Sequence, residues 1–267
     1  MAHTPAPEAG SFEISTGTAE LTRDGVGGWL LTVNGAQSSH VDPFDAANLE
    51  FEYMRQMAAA IDDAHPARDA PLRVLHLGAA ACALPRALAH RYPKSRHVAV
   101  EIDAELARLA REWFDLPRAP RLRIRVGDAR EVVESLTEGT RDIVIRDAFA
   151  ESLTPAHLKT VEFTAAVRRV LAPGGLYLAN CGDRRDLVSA RGEVATVREV
   201  FAEVALISDP AMLKGRRSGN IVVVASDGPL PGSAELQRLL RSDPEPSRLV
   251  TGDDVAAFAR SAAPLRD

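Results

Sequence analysis

Only two cysteines, Cys82 and Cys181, occur in 267 residues, and neither belongs to a C-x-x-C pair. A disulfide framework is thereby excluded, and with no His-x-x-His spacing either, no metal is expected. A reducing compartment fits such a chain. No run of 18 consecutive apolar residues is present, and Met1 to Gly10 has neither the basic start nor the apolar core of a signal peptide. The expectation is a cytoplasmic protein with a frayed start and no membrane contact. Positive charge is not in excess: 32 Lys plus Arg stand against 37 Asp plus Glu, a formal charge of -5, so nucleic acid is not an expected partner. Also missing are a G-x-S-x-G elbow, a G-x-x-x-x-G-K-[ST] loop and any internal repeat. Serine-hydrolase, P-loop and solenoid readings drop out with them.

What remains is an ordinary globular composition, 46% apolar and 26% charged, enough for a sizeable core. Between residues 11 and 40, short apolar runs at 12–14, 19–22 and 29–33 are separated by the turn dipeptides Asp24-Gly25, Gly27-Gly28 and Asn34-Gly35. They predict a small β-hairpin cap over 1–44. Leu49, Tyr53, Met57 and Ile61 then form one apolar stripe at helical spacing, with Asp45 as the N-cap and His65-Pro66 as the stop.

From residue 72 short apolar runs alternate with amphipathic stretches. Strands are expected at 72–77, 97–102, 122–126, 142–146, 176–180, 204–207 and 220–225, with helices at 84–90, 104–114, 130–135, 157–171 and 190–201. Alternation of this kind predicts an α/β fold: a Rossmann-like, doubly wound, mostly parallel seven-stranded sheet with helices on both faces, over 45–228. Residues 229–267 read as an extension with one helix near 253–260 packed on the main domain.

In such a sheet ligands collect at the carboxyl ends of the strands, where strand order reverses. Four of those ends carry Gly78, Glu101, Asp128 and Asp147 in turn. Gly78-Ala79-Ala80-Ala81-Cys82 lets a ligand approach backbone N–H groups, although a tight strand-to-helix turn is the plain alternative. Glu101, followed by Ile102 and Asp103, lies near the offset at which an acid accepts from ribose hydroxyls, and Asp103 suits a helix cap better than Glu101 does. Asp128, followed by Ala129, is placed either for an exocyclic base amine or as a helix N-cap. Asp147 ends the central strand. Together they describe an adenosine site without a pyrophosphate cradle, which favours S-adenosyl sulfonium compounds over NAD.

With these residues in view, the sequence resembles the spermidine synthase-like branch of class I S-adenosylmethionine-dependent transferases, over roughly residues 35–226. Asn34-Gly35-Ala36-Gln37 is similar to that branch's Asp-Gly-x-x-Gln, and Glu50-Phe51-Glu52-Tyr53 to its Glu-Phe-x-Tyr. The resemblance implies that Gln37 touches the nucleoside, Tyr53 lines the acceptor channel, Glu101 holds the ribose, Asp128 meets the adenine amine and Asp147 is the catalytic carboxylate. It further implies S-adenosylmethionine or its decarboxylated form as co-substrate, a small amine acceptor and a homodimer.

The departures matter as much, and they fall on acids that would recognise amines. Ala81 replaces the acid that grips the aminopropyl ammonium, Ala150 the second acid of Asp-Ser-x-Asp-Pro (here Asp147-Ala148-Phe149-Ala150-Glu151), and Met54-Arg55 the pair after the tyrosine. The N-terminal β-region is also shorter than the branch's usual one. Nucleoside recognition is retained on this reading, while the standard polyamine site is degraded. His40 is a candidate acceptor-site base or a surface turn residue, and Phe149 a candidate substrate contact. Gln37 has hairpin pairing as its alternative role. His76 is expected in the core; His3, His65, His90, His97 and His157 belong to no constellation. Lys214, Arg216 and Arg217 form a solvated turn or, alternatively, an acceptor-gating loop. Three functions stay open: aminopropyl transfer to an amine, methylation of a small molecule, and nucleoside binding without catalysis.

Overall fold

The computed structural model describes residues 7–150, 153–260 and 262–267. The expected frayed start before Pro7, His3 and Glu151 lie outside the described residues.

The chain opens with an antiparallel sheet of β1 (Gly10–Ile14), β2 (Gly17–Arg23), β3 (Trp29–Val33) and β4 (Ala36–Val41), paired in that order. Asn34 and Gly35, both at positive φ, turn β3 into β4, as a tight hairpin requires. The predicted hairpin is thus a four-stranded meander. Its fourth strand, Ala-Gln-Ser-Ser-His-Val, is too polar to carry a strand signal, yet it buries Ser39, His40 and Val41. Asp45 does not cap the next helix: its Oδ1 accepts from Ala47 N, and α1 (Glu52–Ala64) starts after Phe51 without a side-chain cap.

The main sheet comes from β5 (Arg73–Leu77), β6 (Arg96–Glu101), β7 (Leu122–Val126), β8 (Arg141–Arg146), β9 (Leu171–Asp183), β10 (Glu203–Ser208), β11 (Gly219–Ser226) and β12 (Arg248–Val250). Its order is β12-β10-β11-β9-β8-β5-β6-β7. Strands β5 to β9 pair in parallel, while β11, β10 and β12 add antiparallel. The sheet therefore has eight strands, not the predicted seven. The extra strand, β12, is three residues long, below the length at which alternation is readable.

Between the strands run α2 (Ala83–Arg91), α3 (Ala104–Trp113), α4 (Ala129–Glu134), α5 (Val161–Val170), α6 (Val188–Val200) and α7 (Pro210–Leu213); α8 (Ala234–Ser242) and α9 (Asp253–Ala259) flank β12. Alternate residues of each central strand face opposite layers. Val74, Ile143, Ile145 and Leu178 pack with α1, α2, α3 and α8, whereas Leu75, Val144, Tyr177 and Ala179 pack with α4, α5, α6 and α9. Both faces being covered, the strands read as continuous apolar runs. The residues expected as a one-helix extension thus supply two helices and an edge strand of the main sheet. No helix among the described residues is long and apolar enough to cross a membrane.

This topology positions the site. From β5 the chain moves outward through β6 and β7, then returns to the other side of β5 with β8. The reversal lies between the ends of β5 and β8, where Gly78 and Asp147 stand.

Candidate active site

Gly78 has φ +96, and a Cβ there would lie 2.1 Å from the Asp147 carbonyl oxygen. The two strand ends approach so closely that only glycine fits. Ala80 and Cys82 also take positive φ, folding the loop over the start of α2. Glu101, 8% exposed, closes this loop from the next strand. Its Oε2 accepts from Ala80 N (2.9 Å) and Ala79 N (3.3 Å), and its Oε1 from Asp103 N (3.1 Å). Burial pushes its pKa up, and those backbone N–H groups pull against the rise. No cation neutralises it among the described residues, so it remains a buried acceptor facing the loop, chemistry suited to hydroxyl donors.

Asp103 behaves as expected of a cap, accepting from Leu106 N; its other oxygen takes Thr16 N (2.6 Å) and ties the N-terminal sheet to the main domain. Asp128 is likewise an N-cap. Its Oδ1 accepts from Arg130 N and Glu131 N, while its Oδ2 lies 2.9 Å from His157 Nε2. His157, expected to stand alone, is thus its partner. Ile102 is 62% exposed beside Glu101, and Ala129 is buried at the start of α4.

Asp147 is held from two sides, Oδ2 accepting from the Tyr53 hydroxyl and Oδ1 from Asn180 Nδ2, each at 3.0 Å. Tyr53 arrives on α1 and Asn180 on β9. Burial raises the Asp147 pKa, while the two donors and the Arg146 guanidinium act to lower it. The result is a carboxylate shifted towards neutrality, a better proton acceptor near pH 7 than a free aspartate. Burial and the neighbouring Asp147 charge push the Tyr53 pKa well up, keeping its hydroxyl protonated as the donor.

Asn180 escaped the sequence reading as a site residue, although it closes the strand predicted at 176–180; in the structure β9 continues past it to Asp183. Beneath it Arg146, buried beside Glu193 and Cys181, donates to the Asn180 carbonyl (3.1 Å) and pairs with the Glu193 carboxylate. Such a pair is weak evidence for stability; here it fixes the backbone that aims Asn180 at Asp147.

The other candidates divide. Ser38 and Ser39, not Gln37, border the small cavity between Gly78 and Asp147; Gln37 is exposed on β4. His40 is turned away from that cavity. Its Nε2 meets Asp24 Oδ2 at 2.7 Å inside the N-terminal sheet, so it is neither a surface turn residue nor a base at Asp147, because the buried face of β4 locks it onto the turn acid. His76 lines the cavity floor and contacts His97 at 3.0 Å, so His97 is not isolated as expected. Phe149, 37% exposed, rests over Gly182 at the end of β9.

A second and larger hollow, of about 400 Å³, opens beside the first turn of α1 and the ends of β10 and β11. Arg217 borders it, paired with Asp209 at 3.0 Å.

Fold and site together define a class I methyltransferase-type α/β protein, and a methyltransferase-domain family model matches residues 74–175. The chain is 46% identical to a probable spermidine synthase from Corynebacterium glutamicum of known crystal structure, over 98% of this chain and 97% of that one, with a TM-score of 0.93. It is 31% identical over 199 residues to the polyamine aminopropyltransferase of Vibrio vulnificus, covering 74% of this chain and 62% of that protein. The human eEF1A lysine and N-terminal methyltransferase is 27% identical over 144 residues, 49% of this chain and only 20% of that protein. The chain belongs to the spermidine synthase-like branch of the class I S-adenosylmethionine-dependent transferases.

Proposed function

We propose that the protein transfers an aminopropyl group from decarboxylated S-adenosylmethionine to an amine acceptor at Asp147. The observation supporting this most is that carboxylate: shifted upward by burial, fixed by Tyr53 and Asn180, and set where strand order reverses. Gly78, Ala79, Glu101, Ile102, Asp128 and Ala129 form the donor side. Glu101 accepts from ribose hydroxyls, Ile102 covers a face of the base, and Asp128 offers its Oδ2 lone pairs to the adenine amine. Gln37 takes no part, since Ser38 and Ser39 line the cavity in its stead, while Tyr53 and Phe149 face the acceptor. Metal takes no part in this reading, and cytoplasmic location and a homodimer complete it.

A sulfonium donor supplies a carbon already activated for displacement, so the protein's task is alignment and proton removal. An alkylamine with a pKa of ~10.4 is protonated near neutrality and has no free lone pair. Asp147 accepts one proton from it; the nitrogen then bonds to the propyl carbon as the carbon–sulfur bond breaks, the electron pair going to sulfur, leaving neutral methylthioadenosine and a secondary ammonium that carries the former sulfonium charge. Tyr53 and Asn180 hold both carboxylate oxygens in line meanwhile.

The methyltransferase-domain match and the human relative favour a second reading, methyl transfer from S-adenosylmethionine. Product analysis after incubation with each donor and a panel of amines decides between them. Methylthioadenosine release is the expected result; S-adenosylhomocysteine release establishes the methyl reading; nucleoside binding without either product leaves a non-catalytic binder.

A further inference from the structure

The small cavity between Gly78 and Asp147 has on its floor a group that the mechanism leaves idle. His76, 2% exposed, is the near end of a buried chain of hydrogen bonds. The Ser95 hydroxyl lies 2.5 Å from the Tyr92 carbonyl oxygen and 2.6 Å from His97 Nε2. A carbonyl cannot donate, so the one hydroxyl proton goes to Tyr92 and the Ser95 oxygen accepts from His97 Nε2–H. A neutral His97 then has no proton on Nδ1, and that atom accepts from His76 Nε2–H at 3.0 Å. Burial keeps both rings neutral near pH 7: it drives the His76 pKa well below its ordinary value and that of His97 down to about 4. The chain thus fixes one tautomer. His76 is left with a bare Nδ1 lone pair, without a partner among the described residues, at the cavity it lines.

The rest of the lining is also short of donors. Each Asp147 oxygen takes one hydrogen bond, from Tyr53 or Asn180, and keeps a lone pair. The backbone N–H groups of the loop above are engaged: Gly78 with the Val100 carbonyl, Ala79 and Ala80 with Glu101, Ala81 with Ser39 Oγ (3.3 Å), and Cys82 with the Ala79 carbonyl (2.7 Å). Ser38 donates to the Ala36 carbonyl, which leaves the Ser39 hydroxyl proton uncommitted. No Lys or Arg among the described residues borders the cavity. Its volume of about 30 Å³ leaves room for roughly one or two water-sized groups. An ammonium fits such a place. A carboxylate would face the Asp147 carboxylate and a bare imidazole nitrogen, with one serine hydroxyl to receive it.

We infer that His76 selects the donor: its Nδ1 accepts from the terminal ammonium of the aminopropyl tail, and the donor-poor lining turns away the α-carboxylate of intact S-adenosylmethionine. His97 and Ser95 are positioning residues that touch no ligand and act by holding the His76 proton on Nε2. A neutral imidazole makes a charge-assisted hydrogen bond to the ammonium and is too weak a base to take its proton, given an alkylamine pKa of ~10.4. The tail amine therefore stays charged and does not compete as a nucleophile, while Asp147 is left for the proton of the attacking amine. The selection rests on the aminopropyl reading; the fixed tautomer and the donor-poor lining do not.

Calorimetry on the full chain tests it with decarboxylated S-adenosylmethionine, S-adenosylmethionine and methylthioadenosine. The decarboxylated donor is expected to bind at least about tenfold more tightly than either of the others. His76→Leu should weaken it about 10- to 100-fold, as for loss of a hydrogen bond to a charged group, and leave methylthioadenosine, which has no ammonium, within about twofold. His76→Asn, which returns an acceptor oxygen near the position of Nδ1, should recover part of that loss. Ser95→Ala frees the tautomer and should weaken the decarboxylated donor severalfold with methylthioadenosine unchanged. Nitrogen NMR of the wild type at neutral pH is expected to show His76 protonated on Nε2 alone, a readout that needs no variant to fold. A proton on Nδ1, equal affinity for the two sulfonium donors, or a His76→Leu loss shared by methylthioadenosine overturns the inference. A His76-dependent preference for the decarboxylated donor, with no methylthioadenosine released on incubation with amines, upholds the site while removing the aminopropyl reading.

Discussion

Gly78, Glu101 and Asp128 come from three consecutive strand ends, β5, β6 and β7, within one stretch of chain. Glu52, Asn180, Asn220 and Glu245 on the other side of Asp147 come from four separate stretches, and Arg55 reaches across 188 positions to clasp Asp243. The proposed donor side is thus written by topology: any chain winding this sheet brings those strand ends together. The proposed acceptor side is written by long-range packing: α1 and the loop near residue 245 must meet β9 and β11 from distant parts of the chain.

Asp147 joins the two sides, and its removal should have the largest effect. Asp147→Asn keeps the shape and both neighbours but cannot take a proton. Single-turnover methylthioadenosine formation is expected to fall about 10²- to 10⁴-fold, with methylthioadenosine affinity within about threefold. A drop under tenfold would show that the proton leaves by another route.

Glu101→Ala probes the donor side alone. The loop loses its closing carboxylate and the ribose its acceptor, so every adenosyl ligand should bind about 10- to 100-fold more weakly, as expected for losing hydrogen bonds to a charged group. Affinity for the amine acceptor should stay put. Equal loss of both would mean that the two sides are not separable as drawn.

These contrasts follow how much of the molecule was legible in its sequence. Gly78, Glu101, Asp128 and Asp147 were readable because apolar runs locate strand ends and strand ends locate the crevice. Asp128's cap was one of two foreseen roles. β4 was not readable, since Gln-Ser-Ser-His carries no alternation, and neither was the pairing of His40 with Asp24 that it brings about. β12 is too short to show a period. Glu52 and Gln56 sit four apart on α1, a visible spacing, but nothing local reveals that residues near 209, 220 and 245 close over them.

Tyr53→Phe sharpens the comparison at the junction. The hydroxyl stabilises the charged form of Asp147, so its loss lets burial push that pKa further up. The base must be ionised to work, and the acid limb of the pH–rate profile should move to higher pH. Below that limb the rate should fall about 3- to 10-fold relative to wild type, converging at high pH. An unshifted limb would show that the hydroxyl positions acceptor rather than tuning Asp147.

The smallest effect is expected from the clasp holding the acceptor side shut. Arg55 Nε and Nη2 each lie 2.8 Å from an oxygen of Asp243, and its Nη1 reaches the Leu49 and Glu50 carbonyls. The pair is partly exposed, so Arg55→Ala should cost about 1–2 kcal/mol after allowance for solvent screening, a few degrees in melting temperature. The clasp anchors the start of α1 to the loop carrying Glu245, so acceptor KM should rise severalfold while methylthioadenosine binding is unchanged. If stability falls but acceptor KM does not, α1 keeps Tyr53 against Asp147 by its packing against the sheet, without help from the C-terminal loop.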